Sequence, residues 1–310
     1  MPLCQVNLVG EGLATPKATR AALAAALSAL PARAPVIVLI HGYKFSPWVT
    51  AHDPHNHILS MDPRPHWKAV SWPRRLGLGD TGGPEPLCIA VGWEARGTLW
   101  QAYDRAAETG RGLAALVDLI RTLRPGTVVQ VLAHSLGVRV ALAALPHLEA
   151  GSMGRAILLA GAEMRSRAAR ALECPAGQAA EFLNVSSREN DLFDSMLEWM
   201  VAPDAWGERA LGRGFGSDAP AFWRDLRIDD PAHLAALAGM GFRVPAADRR
   251  FCHWSVYLRR GLFDVYRAVL SDGLPLDRLV FQQPVPTVLG RTGLLQRLAP
   301  PLPFPPREAS

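Results

Sequence analysis

Val128-Val129-Gln130-Val131-Leu132-Ala133-His134-Ser135-Leu136-Gly137-Val138-Arg139-Val140 is the stretch that decides the fold. A β-branched and aliphatic run enters a small-His-Ser-Leu-Gly pentapeptide, and an apolar helical pattern through Leu148 begins directly after it. A serine at such a strand-to-helix turn is forced into a strained backbone conformation with its hydroxyl clear of the sheet, and the residues two before and two after it must be small. Ala133 and Gly137 meet that requirement, so the segment points to a serine nucleophile on an α/β sheet.

Outward from this turn, short runs of Val, Ile and Leu alternate with longer helical patterns, as in a mostly parallel sheet covered by helices on both faces. The spacing predicts strands at Gln5–Val9, Val36–Ile40, Leu87–Gly92, Thr127–Ala133, Ala156–Ala160 and Phe182–Ser186, with a further one at Lys68–Trp72. Helices are predicted at Lys17–Leu30, Leu99–Leu123, Leu136–Glu149, Arg165–Leu172, Pro231–Ala238 and Ser255–Ser271. The whole reads as one α/β domain over residues 1–298, followed by a proline-rich tail at 299–310 of extended character. Segments 43–66, 74–86 and 195–250, rich in Pro, Gly, His or Trp, break the rhythm and are expected to form the walls and lid of a pocket. The first two leave the carboxyl ends of strands, where open parallel sheets bind ligands.

The bulk numbers exclude several classes. The 310 residues are 49% hydrophobic, enough for a sizeable core, and the net charge of +5 is carried almost wholly by scattered arginines, Lys17, Lys44 and Lys68 being the only lysines. A nucleic-acid groove would cluster its cations with aromatics, and here they do not cluster. Four widely spaced cysteines signal neither zinc nor a disulfide framework and suit a reducing, cytoplasmic setting. The apolar stretch after Arg20, with Ala32-Arg33-Ala34 behind it, imitates a signal peptide; Glu11 upstream and Pro35 at the would-be cleavage point favour an amphipathic first helix. No apolar run reaches the roughly eighteen residues of a membrane span. His52-Asp53-Pro54-His55-Asn56-His57 concentrates three histidines, but its spacing matches no established metal pattern; it reads as a polar rim, and neither a metal nor a cofactor is expected.

A serine needs a base, and the base needs a partner that fixes its tautomer. In this fold class the chain order is nucleophile, acid, histidine. Asp191, just past the strand ending at Ser186, is the candidate acid, with Asp194 and Glu189 as alternatives and a helix cap as the plainer role for Asp191. His253 precedes a helical pattern and is the candidate base, whereas its rival His233 sits inside a helix. For the oxyanion, the Leu136 amide follows the nucleophile, and His41-Gly42-Tyr43 at the end of an early strand offers the Tyr43 amide as second donor.

With His41-Gly42-Tyr43, Ala133-His134-Ser135-Leu136-Gly137, Asp191 and His253 in this order, the chain resembles the α/β-hydrolase superfamily over roughly residues 36–271, and in particular bacterial serine hydrolases with a His-Gly-aromatic oxyanion turn. The resemblance implies a serine hydrolase that cleaves a small carboxylic ester or thioester through an acyl-Ser135 intermediate. It leaves open an acyltransferase using the same intermediate, or a non-catalytic binding protein on the same fold. Ala133 stands where the superfamily usually has glycine, and no large cap follows the strand at Ala156–Ala160, so any lid must come from the loop insertions.

Overall fold

The computed structural model describes residues 3–80, 85–201, 204 and 207–279. The tail at 299–310 lies outside the described residues, as do positions 81–84 of segment 74–86 and 202–203 and 205–206 of segment 195–250. Eight strands, β1 Leu3–Val9, β2 Gly12–Leu13, β3 Val36–Ile40, β4 Leu87–Gly92, β5 Val129–His134, β6 Met153–Leu159, β7 Glu181–Ser186 and β8 Trp223–Arg227, form one sheet in the order β2-β1-β4-β3-β5-β6-β7-β8. Every pairing is parallel except the short β1–β2 hairpin.

The central strands lack polar alternation because both of their faces are covered. In β3, Val36, Val38 and Ile40 enter one core while Ile37 and Leu39 enter the other. The first core is closed by α1 Pro16–Ala29, the 25-residue α3 Leu99–Leu123, α4 Leu136–Ala144, α5 Arg165–Leu172, α6 Pro175–Ala179 and α7 Asp191–Met200. The second is closed by α2 Trp72–Arg75, α8 Pro231–Gly239, α9 Ser255–Leu258 and α10 Leu262–Leu270. At about 1.5–3 kcal/mol per fully buried large aliphatic side chain, two such cores carry most of the force that opposes chain entropy.

Several expectations are corrected by the coordinates. Lys68–Trp72 is not a strand: Pro73 cannot donate to a ladder, and it instead opens α2 behind Ser71, whose hydroxyl accepts from the Arg74 amide. The helix expected through Glu149 ends at Ala144 and tightens into a 3₁₀ turn at Leu145–His147, where Pro146 removes a donor. The pattern over Ser255–Ser271 is interrupted at Gly261, whose φ of 80° is left-handed, giving α9 and α10.

The pocket segments are more structured than their composition implied. Segment 195–250 contains β8, which pairs with β7, and α8. Segment 43–66 is folded down, with Ile58 and Leu59 fully buried in the second core, and Asp53 caps a 3₁₀ turn at Pro54–Asn56 by accepting from the His55 amide at 2.9 Å. Among the described residues no helix is long and apolar enough to cross a membrane.

Candidate active site

β3 and β5 lie side by side, and their carboxyl ends carry His41-Gly42 and Ser135 respectively. Strand order changes direction around β3, the place at which open parallel sheets bind ligands. Ser135 is the single residue between β5 and α4, with φ 55° and ψ −123°. A non-glycine residue held there stores about 1–3 kcal/mol of strain. Three main-chain bonds hold it: the Ser135 amide donates to Leu159 O at 2.9 Å, and the Ser135 carbonyl accepts from the amides of Val138 at 3.0 Å and Ala162 at 3.1 Å.

The two turns are pressed together. A Cβ on Gly42 would stand 2.6 Å from Ser135 Cβ, and one on Gly137 would stand 2.6 Å from His41 O, so only glycine lets β3 and the start of α4 approach. His41 is fully buried, stacked on Trp93 at 5.6 Å. Its Nε2 accepts from the Trp93 amide at 3.1 Å, which puts the ring proton on Nδ1, where it donates to Gly42 O at 2.9 Å. In a trans peptide the Gly42 carbonyl and the Tyr43 N–H point in opposite directions. Pinning that carbonyl therefore aims the Tyr43 N–H away from His41, and neither it nor the Leu136 N–H at the start of α4 has an acceptor among the described residues.

His253 immediately precedes α9 and is half-buried between Phe193, stacked at 4.7 Å, and His134, whose ring lies 4.7 Å away. His134 Nε2 donates to the His253 carbonyl at 3.2 Å, joining the residue beside Ser135 to the residue that carries the candidate base. Burial first, then the neighbouring His134 and Lys68, hold the His253 imidazole well below the usual histidine range, so it is neutral at pH 7. Burial likewise lowers His41 to about 3 and His134 to about 4.

The partner of His253 is not Asp191. Its Nδ1 donates to Asn190 Oδ1 at 2.5 Å, while Asp191, one residue on, lies with its carboxylate 3.6 Å from Arg213. The capping role also falls to Asn190, which is the N-cap residue of α7, although its side chain makes no cap bond. Of the alternatives, Glu189 is buried in an ion pair with Arg259 and accepts from Ser187 Oγ at 3.0 Å. Asp194 stands behind Asn190 and accepts from its Nδ2 at 2.9 Å. His233 is buried in α8, and its Nδ1 accepts from the Arg227 amide at 2.8 Å.

Among the described residues Ser135 Oγ has no hydrogen bond, to His253 or to any other group. Catalytic contacts of this kind are commonly long without ligand and shorten when substrate binds. Next to His253 the surroundings are aromatic and cationic: Trp254 meets Trp67 edge-on at 5.4 Å, and Lys68 Nζ lies 3.1 Å from the Trp254 ring centroid. The histidines of 52–57 diverge, with His55 Nε2 on Asn7 Oδ1 at 2.7 Å and His57 against Phe45 and His66. Among the described residues no group of three or more His, Cys, Asp or Glu side chains is placed to hold a metal ion.

Behind Ser135 a buried network fixes α4. Arg139 Nη1 pairs with Glu163 at 2.5 Å, and Arg139 Nε donates to Tyr103 O at 2.7 Å. The Tyr103 hydroxyl donates to the same carboxylate.

Compared with known families and with curated proteins, the chain matches no family model and no curated sequence. The functional reading therefore rests on the geometry.

Proposed function

We propose that the protein is a serine hydrolase of the α/β-hydrolase type, acting on a small carboxylic ester or thioester. The observation that carries this reading is the pairing of a strained Ser135 with two acceptor-free amides, those of Tyr43 and Leu136, against the Gly42 turn. A purely structural turn has no need of a strained serine, and unpaired amides beside it are what a developing oxyanion requires. His253, neutral and with its Nδ1 proton engaged by Asn190, keeps the Nε2 lone pair available to accept the Ser135 proton.

In the first half-reaction Ser135 Oγ attacks the carbonyl carbon, its proton passes to His253 Nε2, and the two amides hold the oxyanion. Collapse expels the alcohol or thiol, which takes the proton from His253, and leaves acyl-Ser135. Water, deprotonated by the same nitrogen, then attacks the acyl carbon, and collapse releases the acid as Ser135 Oγ takes the proton back from His253. Asn190 takes the orienting place in this scheme, so the imidazolium is stabilised by a dipole at first hand. The Ser135 Oγ–His253 Nε2 hydrogen bond that this scheme uses has to form on substrate binding.

The test is labelling of the purified chain by a fluorophosphonate, beside turnover of a chain-length panel of activated esters. Labelling and turnover in the wild type, both lost in Ser135→Ala and in His253→Ala, are the expected result. No labelling of the wild type means a binding protein on this fold. Product carried to an added alcohol in preference to water means an acyltransferase.

A further inference from the structure

We infer that Asp194 is a positioning residue which, through the side-chain amide of Asn190, decides which ring nitrogen of His253 carries the proton. The inference rests on the proposed serine-hydrolase reading. An ionised carboxylate can only accept hydrogen bonds, so Asp194 Oδ1 draws the Nδ2 end of Asn190 toward itself, at 2.9 Å. That orientation turns Asn190 Oδ1 to His253, at 2.5 Å. An amide oxygen also only accepts, so Nδ1 must bear the hydrogen and Nε2 is left as the base. Without a fixed charge at 194 the amide is free to turn over. Nδ2 would then donate to Nδ1, the ring proton would reside on Nε2, and the imidazole would have nothing with which to accept the serine proton.

The burial of Asp194 supports a functional role. It is 3% exposed, and its Oδ2 is buried with no partner among the described residues. A carboxylate so placed is costly unless something requires its charge. The groups that face it are Arg213, from the turn at Leu211–Arg213, which attracts, Asp191 and Glu198 of its own helix, which repel, and Asn190, which donates. Burial outweighs the attraction and pushes the carboxyl up to about 7. A residue kept only for stability would serve as well or better as asparagine.

The experiment uses the full-length chain as wild type, Asp194→Asn, and the double variant Asn190→Asp with Asp194→Asn, which moves the carboxylate next to the ring. Steady-state turnover of an activated ester is read from pH 5.5 to 9, and His253 is followed by ¹⁵N NMR with histidine-specific labelling. For Asp194→Asn the expected result is a fall in kcat of at least about 30-fold, KM within about twofold, no fall in Tm at pH 8, and His253 changed from the Nδ1–H form to a mixture. The double variant should recover most of the lost activity. In the wild type the Nδ1–H signature should also weaken as the pH falls through 7, a readout that needs no variant to fold. An unchanged His253 tautomer in Asp194→Asn and across pH 7 overturns the inference even if the enzyme is active. A changed tautomer in a protein that neither turns over ester nor labels with fluorophosphonate overturns the hydrolase reading and leaves the Asp194–His253 coupling in place.

Discussion

The Cys252 amide donates to the Glu189 carbonyl across 2.9 Å. This one main-chain bond ties the loop carrying His253 to the loop carrying Asn190, and the Glu189–Arg259 ion pair, with side chains 3% and 5% exposed, closes it from beneath. Arg259 also donates to Ile228 O, which fastens the same loops to the end of β8. Two segments some sixty residues apart are thereby held in register for a single side-chain contact.

Glu189→Ala is expected to destabilise the protein by about 3–5 kcal/mol, because it leaves the Arg259 guanidinium buried and uncompensated. Glu189→Leu combined with Arg259→Met should cost much less. Urea unfolding of the two variants checks this, and equal losses would mean that the pair itself, and not the orphaned charge, is what matters.

Gly42→Ala should lose nearly all esterase activity, since its Cβ would meet Ser135 Cβ at 2.6 Å and the turn would have to open. Overpacking of this kind costs about 1–3 kcal/mol. Folding should therefore survive, as circular dichroism would report, while fluorophosphonate labelling falls steeply.

His41→Phe keeps the stacking on Trp93 but removes both ring nitrogens, leaving the Trp93 amide and the Gly42 carbonyl without their partner. Stability should drop by about 1–3 kcal/mol for a buried unpaired group. Freeing the Gly42–Tyr43 peptide should lower kcat by about 10²-fold or more with little change in KM, as loss of one oxyanion donor does. A variant that changes KM alone would show that the peptide does not face the reacting carbonyl.

Acid should destabilise the fold. His41 at about 3, His57 at about 4 and His134 at about 4 are all depressed, chiefly by burial, and His253 lies in the same direction. Below the ordinary histidine pKa of about 6.5 the unfolded chain binds protons that the folded chain refuses, so the stabilisation held at neutral pH is lost as pH falls from 6.5 toward 4. Asp194 acts oppositely: its raised carboxyl makes folding less favourable as pH rises from about 4 to 7, by up to about 4 kcal/mol. His41, His57 and His134 all act over this interval, so together they outweigh one carboxylate, and Tm is expected to fall between pH 6.5 and 4.5. A Tm that rises over this interval would contradict the assignment.

How much was legible in the chain depended on whether a signal was local. β3, β4 and α3 have the bounds their apolar periodicity predicts, and the Ser135 turn follows from small residues two positions either side. β8 escaped because Trp223-Arg224-Asp225-Leu226-Arg227 is highly charged; Asp225 is tolerated in it by accepting from Asn184, Phe215 and Trp223, partners no sequence pattern reveals. The side chain in contact with His253 Nδ1 is Asn190, one residue before the expected Asp191. A carboxylate next to a loop end is the natural candidate from sequence, but the first turn of α7 directs Asp191 toward Arg213 and leaves Asn190 facing the imidazole. The cue available in advance was the i, i+4 spacing of Asn190 and Asp194 at a helix start, which puts an amide and a carboxylate on one face.

The Arg139–Glu163–Tyr103 cluster locks α4 to α3 one turn beyond Ser135. The serine is thus seated on a braced turn, whereas residues 245–250, which lead into the histidine loop, are exposed. The histidine loop is in turn fastened to the Asn190 loop and to His134, so both walls share one frame. On the proposed hydrolase reading, a substrate would meet a serine whose backbone is braced in advance, like a fixed anvil.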